Sequence, residues 1–247
     1  MVANFISLGP TSFMTHILAI DTSTDACSVA LSANGTVTGL FELAAKSHTQ
    51  RLLPMVEELL HQCHCGLENL DAIAFGRGPG SFTGLRIGLG VVQGLAFARR
   101  LPVIPVSTLA AMAAGYWRRN PDAAVRPVLT SLDARMNEVY WSVYRACSGQ
   151  QTPEQVIEEQ VISPASAASA MNDWEEAFDG IGQGWHYDEL RSLDPHTIEQ
   201  ACYPAAEDIA RLAVEAFTRG EAVPVQEARP VYLRDTVSWK KRTRIRS

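Results

Sequence analysis

The sequence predicts an α/β fold made of two similar lobes, and two observations carry that prediction. An apolar strand closed by an aspartate occurs twice, as Ile17-Leu18-Ala19-Ile20 ending in Asp21 and as Val128-Leu129-Thr130-Ser131-Leu132 ending in Asp133. Each is followed by a turn and a second strand. Around both repeats, strand-like runs mix with helix-like ones, the pattern of an α/β lobe. A chain of 247 residues is long enough for both lobes.

The first repeat opens with the buried strand 17–20 and the polar turn Asp21-Thr22-Ser23-Thr24. Strands over Cys27–Leu31 and Thr36–Leu43 follow, joined by Asn34-Gly35, the strongest short hairpin signal. Ser47-His48-Thr49-Gln50 has the spacing of a capping box. It opens a helix with Leu52, Leu53, Val56, Leu59, Leu60 and Cys63 on one face, although Pro54 predicts a kink or a later start. A strand at Ala72–Phe75 then leads into Gly76-Arg77-Gly78-Pro79-Gly80-Ser81-Phe82-Thr83-Gly84 and a helix to about Arg99, and a short strand Val103–Val106 completes a βββαβαβ run.

Polar turn residues at Asn120-Pro121-Asp122 mark the lobe boundary. Beyond it lie strands at 128–132, 139–144 and 155–162, a short helix from Pro164 to about Asn172, a strand and glycine turn at Phe178–Gly184, and an amphipathic helix Ala205–Thr218. The division is therefore an N-terminal extension (1–13), a first lobe (14–120), a second lobe (121–235) and a basic tail (236–247).

Composition narrows the function classes. With 47% hydrophobic and 19% charged residues the chain is an ordinary globular protein, and its net charge of −6 disfavours broad nucleic-acid binding by its own surface. Five scattered cysteines suggest a reducing compartment, and no apolar run approaches a membrane span. No signal peptide is evident, so a cytoplasmic location is expected.

The motifs divide into chemistry and packing. Strand, glycine loop and helix is the layout of a phosphate cradle, because a helix N-terminus offers unpaired N–H groups. Yet the spacing G-x-G-x-x-x-G, without a lysine before Ser81 or Thr83, fits neither the dinucleotide fingerprint nor the Walker loop. A tight strand-to-helix turn is the competing reading. Asp21, Thr22 and Ser23 could hold a metal–phosphate group, or form a hydrogen-bonded turn. Ser81 lacks a nucleophile-elbow spacing and reads as a helix cap. His61, Cys63, His64 and Cys65 are too crowded to surround one tetrahedral ion and read as a helix end.

The helix after the loop is apolar almost all round. Gly84, Ile87, Gly88, Val91, Gly94, Leu95 and Ala98 form one arc, and Leu89, Val92 and Phe97 make the other side apolar. One side can pack on the sheet while the other needs a helix or another chain. The tail carrying Lys240, Lys241, Arg242, Arg244 and Arg246 reads as a solvated segment, with transient RNA contact as its rival.

The stretches Ile17–Thr24, Gly76–Gly88, Val106-Ser107-Thr108-Leu109, Leu132–Trp141 and Pro230–Arg234 together resemble the bacterial TsaB (YeaZ) family, from about Met14 to Lys241. The resemblance implies the two-lobed actin-like (ASKHA) fold, a ribonuclease H-like duplication shared with sugar kinases and Hsp70 chaperones. It implies a role in making threonylcarbamoyl-adenosine next to the tRNA anticodon, as a subunit that activates the paralogous transferase TsaD, with TsaE as ATPase. The paralogue carries two metal-binding histidines where this chain has Thr108 and Met112, neither suited to a hard metal. The second-lobe phosphate turn is degenerate, with Ala134 and Arg135 after Asp133, and Gly180–Gly184 resembles the remnant of an adenosine-contacting turn.

The resemblance places the partner surface on Thr49–Cys63 and Thr83–Arg99, giving Leu52, Met55, Val56, Leu59, Gly84, Ile87, Gly88, Val91, Gly94 and Leu95 as contact residues. Asp21, Thr22, Ser23, Gly80, Ser81 and Asp133 are the nucleotide-proximal positions. The expectations further include a homodimer when the chain is alone, indirect contact with tRNA, no membrane, no cofactor tightly bound by the chain alone, and the partner interface as a place for ATP or ADP. The rival readings are a metal-dependent glycopeptidase and an ATP phosphotransferase of the sugar-kinase type.

Overall fold

A computed structural model describes residues 15–234. The N-terminal extension and the basic tail lie outside the described residues. The first sheet contains β1 (Ile17–Asp21), β2 (Ala26–Ala33), β3 (Thr36–Leu43), β4 (Ala72–Gly78) and β5 (Val103–Ser107), in the order β3-β2-β1-β4-β5. β1 pairs antiparallel with β2 and parallel with β4. The second sheet contains β6 (Val128–Arg135), β7 (Glu138–Arg145), β8 (Glu154–Ile162), β9 (Asp179–Ile181) and β10 (Thr197–Glu199), in the order β10-β9-β6-β7-β8. Numbered within its own lobe, each sheet runs 3-2-1-4-5 with the same antiparallel and parallel pairings. The two lobes are a duplication, as the repeated strand–aspartate pattern predicts.

Helices α1 (His48–Gln62) and α2 (Phe82–Arg99) cover one face of the first sheet. α1 buries Leu52, Met55, Val56, Leu59 and Leu60 at helical spacing. It runs on through Pro54, so the proline neither ends nor delays it. The capping box is not formed: Ser47 makes no side-chain cap, and its hydroxyl donates instead to the carbonyl of Ala44 at 3.0 Å. Ser81 does cap α2, accepting from the N–H of Gly84 at 3.2 Å.

α3 (Thr108–Arg119), which the chain-order reading lacks, begins at a second serine cap, Ser107, whose oxygen accepts from the N–H of Ala110. It lies between the lobes: Ala111 joins the core under the first sheet, while Leu109, Met112, Ala113, Tyr116 and Trp117 pack with Val128, Leu132 and Ile181 of the second. The far face of the second sheet is covered by α4 (Pro164–Ala170), α5 (Asp188–Arg191) and the fully buried Trp185, whose indole N–H donates to the carbonyl of Leu129.

One lobe assignment needs correcting. α6 (Ala206–Thr218), placed by the sequence division in the second lobe, packs on the first sheet. Its Ala206, Ile209, Ala210, Leu212, Ala213 and Ala216 close against Ile17, Ala19, Ala30, Ala72, Ala74 and Ile104. Val223 then bridges to Val103. No helix of the described residues is long and apolar enough to cross a membrane.

Candidate functional site

The C-terminal turns of both sheets face each other across a cleft of about 490 Å³. From the first lobe it is lined by Ser23, Thr24, Asp25 and Gly80–Thr83, and from the second by Leu132–Met136, Tyr140, Gln183 and His186. Tyr203 and Arg234 complete the wall. Of the nucleotide-proximal residues expected from sequence, Ser23, Gly80, Ser81 and Asp133 reach this cleft. Asp21 and Thr22 lie behind it.

The glycine loop does not present an open cradle. The Asp21–Ser23 turn is pressed into it: Thr22 donates to the carbonyl of Gly84 at 2.8 Å, and the N–H of Ser81 donates to the carbonyl of Ser23 at 2.7 Å. A Cβ on Gly76, Gly80, Gly84 or Gly88 would overlap Asp21, Ser23 or Thr22. These four glycines are therefore spacers that let one turn seat against another.

Asp21 is fully buried. Its Oδ2 accepts from the N–H and hydroxyl of Ser23 at 3.2 and 3.0 Å, while Oδ1 has no hydrogen-bond partner. Burial pushes the carboxyl up to about 7, against the lowering effect of the Ser23 bonds. Its counterpart Asp133 is already occupied, accepting from the N–H of Arg135 at 2.9 Å and from its guanidinium at 3.0 Å. Arg135, Met136 and Asn137 all adopt positive φ in the turn that follows, at 63°, 57° and 59°. Non-glycine residues hold this conformation at a cost, so the turn is fixed by its surroundings rather than by a flexible glycine.

Thr108 and Met112, which the family resemblance sets against the paralogue's histidines, are both buried. Among the described residues, no three His, Cys, Asp or Glu side chains gather as a metal site. Within the Gly180–Gly184 turn, a Cβ on Gly182 or Gly184 would overlap Ser131, so those glycines serve internal packing, while Gln183 reaches the cleft.

The expected partner-binding residues separate by exposure. Leu52, Met55, Val56 and Leu59 belong to the first lobe's own core, and Gly84 and Gly88 are buried against Thr22. The other expected residues differ: Ile87, Val91 and Leu95 are half-buried, and Gly94 is exposed. The sequence pattern does not single out Gly90, exposed on the same helix side as Gly94, and gives Phe97 and Leu53 no place on the surface, where they stand 72% and 52% exposed. The missing signal was which side of an all-apolar helix meets its own sheet, which composition cannot supply.

Comparison with known proteins agrees with the fold and with the motifs. The family model described as "TsaD: tRNA N6-adenosine threonylcarbamoyltransferase" matches residues 40–219. The tRNA threonylcarbamoyladenosine biosynthesis protein TsaB of Escherichia coli (strain K12) is 46% identical over 92% of this chain and 97% of its own length. TsaB of Haemophilus influenzae is 42% identical over 91% of this chain and 96% of its own. The solved structure of YeaZ from Pseudomonas aeruginosa superposes with a TM-score of 0.82 at 44% identity, covering 89% of this chain and all of that one. A second solved structure, described as having similarity to peptidase YEAZ from Pseudomonas aeruginosa, gives a TM-score of 0.83 at 44% identity over 90% of this chain. With identity and coverage this high, and with the duplicated sheets and degenerate second-lobe turn in place, the chain belongs to the TsaB (YeaZ) family of tRNA threonylcarbamoyladenosine biosynthesis proteins.

Proposed function

We propose that the chain is a non-catalytic subunit that binds and activates a TsaD-like transferase, alongside a TsaE-like ATPase, in threonylcarbamoyl transfer to the tRNA adenosine next to the anticodon. The observation that carries this reading is the outward side of α2. Gly90 and Gly94 are exposed, a Cβ on either would meet nothing within 4 Å, and Phe97 stands beside them in solvent. A glycine inside a helix costs about 1 kcal/mol relative to alanine, and nothing in this chain's own packing requires these two. Spaced four residues apart, they leave bare backbone against which another helix fits closely. Leu53 of the neighbouring α1 is a further exposed apolar side chain. In the absence of the transferase the same face pairs two copies of this chain, and tRNA is met through the assembled complex.

The occupied Asp133 and the glycine loop filled by the Asp21–Ser23 turn support a subunit that holds no nucleotide tightly by itself, with ATP or ADP bound where the cleft meets a partner. Co-purification with the transferase and a reconstituted tRNA-modification assay test the proposal. Gly94→Arg and Phe97→Asp are expected to abolish association and activity while leaving the fold intact; retention of both would refute it. A metal stoichiometry near one in the purified protein would favour the glycopeptidase reading, and tight binding of ATP with magnesium by calorimetry would favour the phosphotransferase.

A further inference from the structure

Two separate polar ties cross from one lobe to the other. The first centres on Glu159 of β8, whose side chain is only 7% exposed. Its carboxylate accepts from the hydroxyl of Ser107 at the start of α3, from the hydroxyl of Tyr144 at 2.9 Å, and from the guanidinium of Arg77 on β4 at 3.3 Å. Two of those three donors belong to the first lobe. Burial, with the Glu159 charge beside it, pushes the Tyr144 hydroxyl strongly up, so Tyr144 stays a donor.

The second tie is the segment 230–234. Val231 donates its N–H to the carbonyl of Arg77 at 2.7 Å. The ring of Tyr232 lies against Phe82 with centroids 5.3 Å apart, and its hydroxyl accepts from Nε of Arg86 at 3.0 Å. Two residues on, Arg234 has crossed to the second lobe, where its guanidinium donates to the carbonyl of Ala134 at 3.1 Å and pairs with Glu138. Phe82, Ala134 and Arg234 all line the cleft, so this strap passes along its wall.

We propose that these ties form a clamp holding the interlobe cleft at one width, with Arg77 as the shared anchor: its guanidinium serves the first tie and its carbonyl the second. The ties differ in strength. Separating the lobes at Glu159 strands a buried carboxylate, whereas the Arg234–Glu138 pair is partly exposed and screened by water. The strap therefore yields first and the Glu159 centre last. The clamp makes the chain a spacer of fixed angle, unable to close on a ligand by lobe rotation.

The test is a spin-label distance across the cleft. Labels at Thr83→Cys and Met136→Cys, exposed residues on its two walls, are placed in a chain with Cys63, Cys65 and Cys147 changed to Ser. The otherwise unmodified chain is expected to give one narrow distance distribution. Arg234→Ala broadens it, Glu159→Ala shifts it to longer distance, and the two together shift it furthest. If Glu159→Ala fails to fold, Arg77→Met and Ser107→Ala with Arg234→Ala remove the same interlobe side-chain bonds and leave Glu159 with the Tyr144 hydroxyl of its own lobe. A distribution unchanged from that of the parent chain, in a combined variant folded by circular dichroism, would overturn the clamp.

Discussion

Thr22 donates its hydroxyl to the carbonyl oxygen of Gly84, 2.8 Å away, and so fastens the turn after β1 to the first turn of α2. The same turn fills the space around Gly80 and Gly88, which fixes what each glycine of this region contributes.

Gly84→Ala and Gly94→Ala should move stability in opposite directions. The first sets a methyl into the backbone of Thr22 and is expected to destabilise by about 1–3 kcal/mol or more, as overpacking against a rigid neighbour does. The second meets open space and should stabilise the isolated chain by about 1 kcal/mol through helix propensity. Chemical denaturation of both variants checks the contrast.

Leu59→Ala and Phe97→Asp separate core from surface on the two helices. Leu59 is wholly buried, so its truncation should cost about 2–5 kcal/mol and lower the melting temperature. Phe97, 72% exposed, should leave melting unchanged and abolish association with the transferase, read by size-exclusion chromatography of the mixture.

Loss of a single cap is measurable at Ser81. Ser81→Ala removes the acceptor for the Gly84 N–H and should cost about 1 kcal/mol, with Ser81→Asp recovering most of it by thermal denaturation.

Asp21 predicts a pH dependence. Its folded value, near 7, lies above the ordinary 3.8, so the folded chain binds the proton more tightly than the unfolded one. Its contribution to stability is therefore fully present below about pH 4 and falls as pH rises through 7, by at most about 4 kcal/mol. Asp21→Asn removes this slope. The stability difference between variant and parent should grow in favour of the variant from pH 4 to 7 and level off above; a constant difference would show that folding does not raise the Asp21 carboxyl.

Much of the first lobe is legible because its signals are local. Asn34 and Gly35 both take positive φ, 52° and 78°, as the tight hairpin they announce requires. Ile17–Ile20 is a run too apolar to lie anywhere but inside. The duplication is legible for the same reason, since each half repeats a strand ending in aspartate. Contacts distant in sequence are not. Nothing in the amphipathic pattern of α6 says which sheet it covers, and the glycine run reads equally as phosphate loop or spacer until Thr22 is seen against it. Ser47 illustrates the converse: its spacing to Gln50 fits a capping box, but Ala44 takes its hydroxyl first.

The placement of α6 has a consequence for biosynthesis. The first sheet is complete once Ser107 has been made, yet the face that carries Ile17, Ala19, Ala74 and Ile104 gains its full cover only when residues 206–218 leave the ribosome. For roughly two fifths of translation that apolar surface waits, a state open to chaperones and to aggregation. A nascent chain stalled before Ala206 should accordingly bind a hydrophobic dye strongly and resist protease poorly, and one released after Thr218 should do neither.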